Sequence, residues 1–230
     1  MTEPITIDKV TSELYKAFDL FNQKYFGNEL PITAITIQSS GHKRNSMGWC
    51  TTSEVWGDKE GKIKMYEINL TAEFLDLDFH ETMDTLLHEM VHLFHMVKGI
   101  KDTSRKGTYH NKNFKNKVLE IGFEYKEDKP DSLHGWSFAR IGEKVKREID
   151  AMNINKEVFS ISRKGFYYYQ QIDNGSSPEE IDIQSGRGTG GSNPSTFKWV
   201  CEDCGLIMRS SKKDVNVICG DCNKTLTKSE

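Results

Sequence analysis

Residues 85–95 read TLLHEMVHLFH. His88 and His92 stand four residues apart, so on a helix their imidazoles leave one face about one turn apart. Two nitrogens placed in this way can grip one metal ion. Glu89 completes H-E-x-x-H, a pattern in which the glutamate acts as general base toward a metal-bound water. The residues around them (Leu86, Leu87, Met90, Val91, Leu93 and Phe94) are apolar, which predicts a helix buried on most sides. Two histidines and a glutamate buried without partners are costly, and a metal removes that cost. The bare five-residue pattern also arises by chance; the apolar context is what favours a metal here.

An extended form of this motif has a glycine where His95 stands and a further histidine where Lys98 stands, so the pattern does not continue. His95 lies about two turns from His88 and reads as core, or as support behind the ligands. Catalytic zinc takes three protein ligands and keeps one position open for water. The third ligand must then come from downstream, where His110, Glu120, Glu124 and His134 are the candidates. His110 opens the next helix after a polar loop and is favoured. Glu120 would give a site with a carboxylate ligand instead.

Working outward, apolar residues recur at helical spacing from Asp8 to Phe26, with Gly27 and Pro31 as stops. ITAITIQS (32–39), MGWCTTSEVW (47–56) and KIKMYEINL (62–70) read as three strands, separated by GHKRNS and GDKEG turns, and predict a small antiparallel sheet. The metal-motif helix runs from about Phe79 to Lys98 and ends at Gly99. A shorter helix follows HNKNF and ends near Gly122. Ser137 to Met152 is amphipathic, and VFSIS with GFYYYQQI suggest a buried hairpin. Residues 174–195 are rich in Gly, Ser, Asn and Pro and read as a flexible linker. The organisation expected is a first domain over 1–152, a connecting segment over 153–195 and a small domain over 196–230.

That last segment carries four of the five cysteines. Cys201 and Cys204 frame one knuckle, Cys219 and Cys222 a second, and CxxC-x14-CxxC is the pattern of a structural four-thiolate zinc ribbon. Cys50 stands alone in a strand and reads as a small buried hydrophobe. Zinc ribbons bind nucleic acid, bind proteins or cap a fold. Lys198, Trp199, Arg209, Lys212 and Lys213 suit phosphates and bases, while Glu202, Asp203, Asp214 and Asp221 nearly cancel their charge.

The 230 residues carry a net charge of −3, which by itself predicts no strong partner. Its distribution is uneven. Up to Val97 there are 8 basic and 15 acidic side chains, and from Lys98 onward 23 basic and 19 acidic. The stretch from Lys98 to Lys117 holds seven cations against Asp102 alone. It fits either a surface that meets phosphates or a solvated loop and helix face. No apolar run approaches the roughly 18 residues of a membrane helix. The start, MTEPITIDKV, has neither a basic stretch nor an apolar one, which predicts no signal peptide and a cytoplasmic protein without membrane partners.

YFGNELPITAITIQ, RNSMGWC, YEINL, TLLHEMVHLFH, GTYHNKNFKNKVLEIGF and HGWS, in that order, resemble the SprT-like zinc metallopeptidase family, and the cysteine pairs resemble the zinc ribbon that often follows it. The resemblance implies an α+β fold: a zincin-like metallopeptidase domain with helices packed on a small antiparallel sheet, then the ribbon. It implies His88, His92 and His110 as ligands of a catalytic Zn2+, Glu89 as the catalytic glutamate, and a second, structural Zn2+ on Cys201, Cys204, Cys219 and Cys222. It also implies protein substrates held along a sheet edge, for which YEINL is the candidate, and DNA, single-stranded or crosslinked to protein, as a partner. Tyr109 and His134 are candidates for an oxyanion donor. The alternative is a nucleic-acid-binding adaptor whose zincin domain binds metal but cleaves inefficiently.

Overall fold

The computed structural model describes residues 4–39, 46–178, 180–181, 197–212 and 214–229. The turn at GHKRNS and the linker segment fall largely outside these residues. The chain divides into two compact units, 1–165 and 166–230.

The first unit begins with helix α1 (Ile7–Tyr25). Val10, Leu14, Phe18 and Phe21 recur on one face and are buried. The helix stops where Gly27 and Asn28 take left-handed φ values of 60° and 61°. The Asn22 amide then holds the returning chain, accepting from Leu30 N–H and donating to Leu30 O, both at 3.1 Å.

Strands β1 (Thr33–Gln38), β2 (Gly48–Cys50), β3 (Trp56–Gly57) and β4 (Lys64–Thr71) form one sheet in the order β1-β4-β2, with β3 also on β4. The sheet is mixed, which corrects the antiparallel expectation. β1 pairs with β4 in parallel, Thr33 opposite Tyr66 and Gln38 opposite Thr71. A parallel pair needs a long crossover, and residues 39–63 supply it while also contributing β2 and β3 along the far side of β4. β4, which contains YEINL, is therefore interior. The borders are β1 on one side and β2 with β3 on the other, and these replace it as candidates for an exposed edge.

Glu67 pins this sheet. Its buried carboxylate accepts from Thr36 Oγ1 (2.7 Å), Gln38 Nε2 (2.9 Å) and Trp56 Nε1 (2.7 Å), tying β1 and β3 to β4.

Helix α2 (Phe79–Val97) starts at Asp78, whose side chain caps His80 N–H, and ends at Gly99 with φ 66°. Its residues are buried round most of the circumference. Hairpin β5 (Thr103–Ser104) and β6 (Tyr109–His110) leads into α3 (Lys112–Ile121), which ends at left-handed Gly122. The next helix, α4 (Glu143–Asp150), starts later than the amphipathic pattern from Ser137 suggested. Arg140–Ile141 (β8) instead pairs with Phe123–Glu124 (β7). Buried Asp84 of α2 takes the Ile141 N–H at 2.8 Å and bonds Arg140 at 3.2 Å, and this holds the segment extended. Ile154, Val158 and Phe159 also join the core of the first unit.

The expected hairpin over VFSIS and GFYYYQQI is not formed. Lys156–Val158 is a turn of 3-10 helix, and Tyr168–Asp173 is a short helix, α5. Asn155 N–H bonds Glu13 of α1, which draws Val158 and Phe159 onto the core. Phe166, Tyr167 and Tyr169 are exposed rather than buried.

In the second unit, β9 (Phe197–Val200) pairs antiparallel with β10 (Ile207–Ser210) and β11 (Thr227–Ser229). Trp199, Cys201, Cys219 and Leu226 make its small core. Among the described residues, no helix is long and apolar enough to cross a membrane.

Replacing Glu67 with alanine strands Gln38 Nε2 and Trp56 Nε1, while the Thr36 hydroxyl keeps Asn69 Oδ1. Partly exposed Gln38 and Trp56 recover water, so the expected loss is about 1–2 kcal/mol. Urea unfolding of the variant followed by tryptophan fluorescence measures it. An unchanged midpoint would remove Glu67 as the pin of the sheet.

Candidate metal centre

Two elements deliver three imidazoles to one point. His88 and His92 project from successive turns of α2, and His110 comes from β6. Their Nε2 atoms lie 3.2 Å (His88–His92), 3.2 Å (His88–His110) and 3.0 Å (His92–His110) apart. A tetrahedral ion with bonds of about 2.0–2.1 Å sets its nitrogens roughly 3.3 Å apart. A tautomeric N–H can bond one neighbouring nitrogen, but a single cation at the centre satisfies all three nitrogens at once. The three residues could thus hold a metal ion. The favoured third ligand is brought in, and the other candidates are not. Glu120 is exposed and paired with Lys117, Glu124 is exposed on β7, and the His134 side chain is exposed.

Burial and the neighbouring histidines hold His88 well below the usual imidazole range, and the same causes bring His110 down to about 4. Both are therefore neutral and ready to ligate near pH 7. His92 differs. Burial opposes its charge, but the hydrogen bond to Asp102 and the charges of Glu89 and Asp102 outweigh burial and raise its pKa.

Asp102 is the residue the sequence reading missed. Its Oδ2 lies 2.7 Å from His92 Nδ1 and 3.2 Å from His95 Nδ1. The carboxylate fixes the His92 tautomer, with the proton on Nδ1 and the Nε2 lone pair aimed at the centre. Burial opposes the charge on Asp102, but the two histidines override it and hold the carboxyl far below the usual range. His95, buried, is support behind the ligand set. A signal was present: Asp102 is the lone acid among seven bases, between His95 and His110.

The third ligand is held mainly through its backbone. His110 N–H donates to His134 O, and Trp136 N–H donates to His110 O, each at 3.0 Å. Gly135 makes this approach possible: its φ is 64°, and a Cβ there would lie 2.2 Å from His110 O. HGW is thus a clamp on His110. Phe114 of α3 floors the site, its ring 4.5–4.9 Å from all three imidazoles. The Tyr109 ring lies against Gly135 and under the Arg105 guanidinium.

Glu89 sits beside the ligands, 7% exposed. Burial pushes its carboxyl up to about 7, opposed by His92 and by the facing backbone N–H of Cys50. β2 lies directly against it: a Cβ on Gly48 would be 2.9 Å from Thr85 Cγ2 and 3.3 Å from Glu89 Cγ. Cys50 packs on the core as a free thiol, raised by burial and by Glu89 and Asp102.

A second ligand group lies in the second unit. The sulfurs of Cys201, Cys204, Cys219 and Cys222 all fall within 4.8 Å of one another. The two knuckles match: Gly205 N–H bonds Cys201 O, and Asn223 N–H bonds Cys219 O. Each closes on a left-handed residue, Gly205 at φ 74° and Asn223 at φ 52°. In the second knuckle the turn thus rests on Asn223 and not on Gly220. Backbone N–H groups, chiefly that of Cys204, bring the Cys201 thiol down to about 7, which favours the thiolate that a metal needs.

The first unit is thus a mixed α+β unit in which an HExxH helix and a following strand bring together three histidines that could hold a metal ion, with a buried carboxylate beside them. The chain belongs to the SprT-like family, whose model matches residues 14–134. It is also 39% identical over 49 residues to an uncharacterized protein in the mucB 3′ region of Salmonella typhimurium. That match covers 21% of this chain and 62% of the relative's length.

Asp102→Ala is expected to weaken metal binding by about 10–100-fold, the usual effect of losing such outer support. Competition with a coloured chelator reads it directly, and affinity within twofold of wild type would show that Asp102 does not orient His92.

Proposed function

We propose that the chain is a zinc-dependent endopeptidase of zincin type that cleaves proteins, among them proteins held on DNA, with a structural zinc in its C-terminal ribbon. The observation that carries this reading is the convergence of three Nε2 atoms with buried Glu89 beside them. Three neutral imidazoles suit zinc better than harder cations, and four thiolates suit zinc in a closed structural site. Zinc, when bound, supplies Lewis acidity and brings the pKa of its water toward neutrality.

The remaining chemistry belongs to the chain. His88, His92 and His110 bind through Nε2, and Asp102 holds His92 in the required tautomer. A carboxyl with a pKa near 7 is matched to moving a proton both ways at neutral pH. Glu89 takes the proton of the attacking water at a carboxylate oxygen and returns it to the leaving amine. β2 is the sheet border nearest Glu89, and its free side can pair with an extended peptide through backbone hydrogen bonds. Membership of the SprT-like family supports the peptidase reading. The DNA part rests on the resemblance and on the exposed cations near His110.

The test is cleavage of a DNA-binding protein by the zinc-loaded full chain, with and without single-stranded DNA, beside Glu89→Gln. Turnover by wild type, abolished in Glu89→Gln and raised by DNA, is the expected result. Cleavage indifferent to DNA would remove the DNA assignment alone. No cleavage by the zinc-loaded protein would move the reading to a nucleic-acid-binding adaptor.

Gly48→Ala tests the contact between β2 and the general base. The added methyl also meets Asn69 O at 2.8 Å, so β2 must shift. The expected outcome is a fall in kcat of roughly tenfold, the scale of about 1.4 kcal/mol, at unchanged zinc content. Wild-type kcat would show that Glu89 is positioned without β2.

A further inference from the structure

The stretch from Lys98 to Lys117 carries seven cations and one acid, and the structure accounts for only part of that excess. Asp102, the acid, is turned inward onto His92 and His95. Lys98 is paired with Glu29, Lys115 with Asp128 and Lys117 with Glu120. Lys101, Arg105, Lys106 and Lys112 remain. All four are exposed, and no ion pair links any of them to an acidic side chain among the described residues.

They are gathered on one feature. Arg105 and Lys106 form the tip of the β5–β6 hairpin, closed by Gly107 N–H on Ser104 O. Lys101 stands at its foot. The Lys101 carbonyl accepts from the Asn111 and Asn113 side chains, each at 2.8 Å, which draws the foot against the start of α3, where Lys112 sits. Arg105 is held in place: its guanidinium lies 4.6 Å from the Tyr109 ring centre and donates to Ser132 O at 2.7 Å. The tip has φ 50° and 57° at Arg105 and Lys106, a turn that asparagine and glycine adopt more easily. Asp131 is the acid of the adjoining turn, and its carboxylate is engaged by the Leu133 and His134 N–H groups. Four like charges are thus kept together, none of them paired with an acidic side chain among the described residues.

We infer that this hairpin rim, on the strand that delivers His110, binds the phosphate backbone of a nucleic acid. The cations stand at both ends of the hairpin, Lys101 and Lys112 at its foot and Arg105 and Lys106 at its tip, and do not gather on a single point. That arrangement suits a chain of repeating charges such as the phosphates of a nucleic-acid strand. An acidic peptide would offer carboxylates only where its sequence places them. The inference deepens the proposed function by giving DNA a place beside the metal centre, but the binding does not depend on catalysis.

The experiment measures the Kd of a fluorescent oligothymidine for the full, zinc-loaded chain across a range of salt. Two triple variants are compared with wild type: Lys101→Gln, Lys106→Gln, Lys112→Gln, and the same three positions changed to arginine. Each lost phosphate contact on a single strand removes about 0.7 from the slope of log Kd against log salt. The glutamine variant is expected to lose about 2 from that slope and to bind at least roughly tenfold more weakly; the arginine variant is expected to keep both. A wild-type slope in the glutamine variant overturns the inference. So does loss of polyglutamate binding with oligothymidine binding intact, or an arginine variant as weak as the glutamine one, since fold and not charge would then be at issue. Failure of the peptidase reading shows as absent cleavage and leaves these slopes unmoved.

Discussion

Three imidazole nitrogens turned on one another within 3.2 Å form the constraint around which the first unit is arranged. Left alone, that cluster is unfavourable in a buried place. Everything near it serves to hold it closed or to make a cation welcome. The one-turn spacing of α2 sets His88 and His92. The hairpin returns His110 from the far side of Asp102. Phe114 fills the floor, so that no imidazole can swing away. The HGW clamp grips His110 by its backbone, and among the described residues its Nδ1 has no hydrogen-bond partner. The two ligand types are thus held by different means, His92 through a carboxylate and His110 through main-chain bonds.

Buried carboxylates recur as the joints of this unit. Glu67 ties β1 and β3 to β4, Asp84 ties α2 to β8, and Asp102 ties α2 to the hairpin. A buried acid persists only where its oxygens are fully engaged, and each of these receives at least two donors from separate residues. Glu89 is the contrast. It is as buried as they are, but among the described residues the donor facing it is a single backbone N–H; burial raises Asp84 as well, and it takes the Glu89 carboxyl up to about 7. The acids with many donors lock elements together; the acid with few is left able to exchange a proton.

How much of this was legible in the sequence depends on the range of the interaction. α1, α2 and α3 were readable because apolar spacing and a terminal glycine are local signals, and Gly27, Gly99 and Gly122 all take left-handed φ where the helices end. The metal motif was readable because its spacing is helical, and His110 because few downstream groups had room to return. The parallel pairing of β1 with β4 was not readable, since strand order is decided by a crossover that leaves no pattern in either strand. The start of α4 was lost for a similar reason. Ser137 to Gly142 has helical periodicity, but a carboxylate on a distant helix claims the Ile141 N–H. Asp102 could have been suspected from its isolation among bases; its partners could not.

The two ligand groups also divide the metal chemistry by exposure of a coordination position. Four sulfurs within 4.8 Å, under matched knuckles, could fill all four positions of a tetrahedral ion and would leave nothing for a substrate. Three imidazoles leave one position, and on the proposed reading that position lies under Glu89 and the border formed by β2. The cost of keeping it open is a half-finished ligand set in a buried place. Asp102 offsets that cost with negative charge, and the same acid leaves the outer face of the hairpin without a counter-charge. The inward carboxylate and the outward cations are then two sides of one arrangement: the acid of the Lys98–Lys117 segment is turned onto His92 and His95, so the rim stays positive.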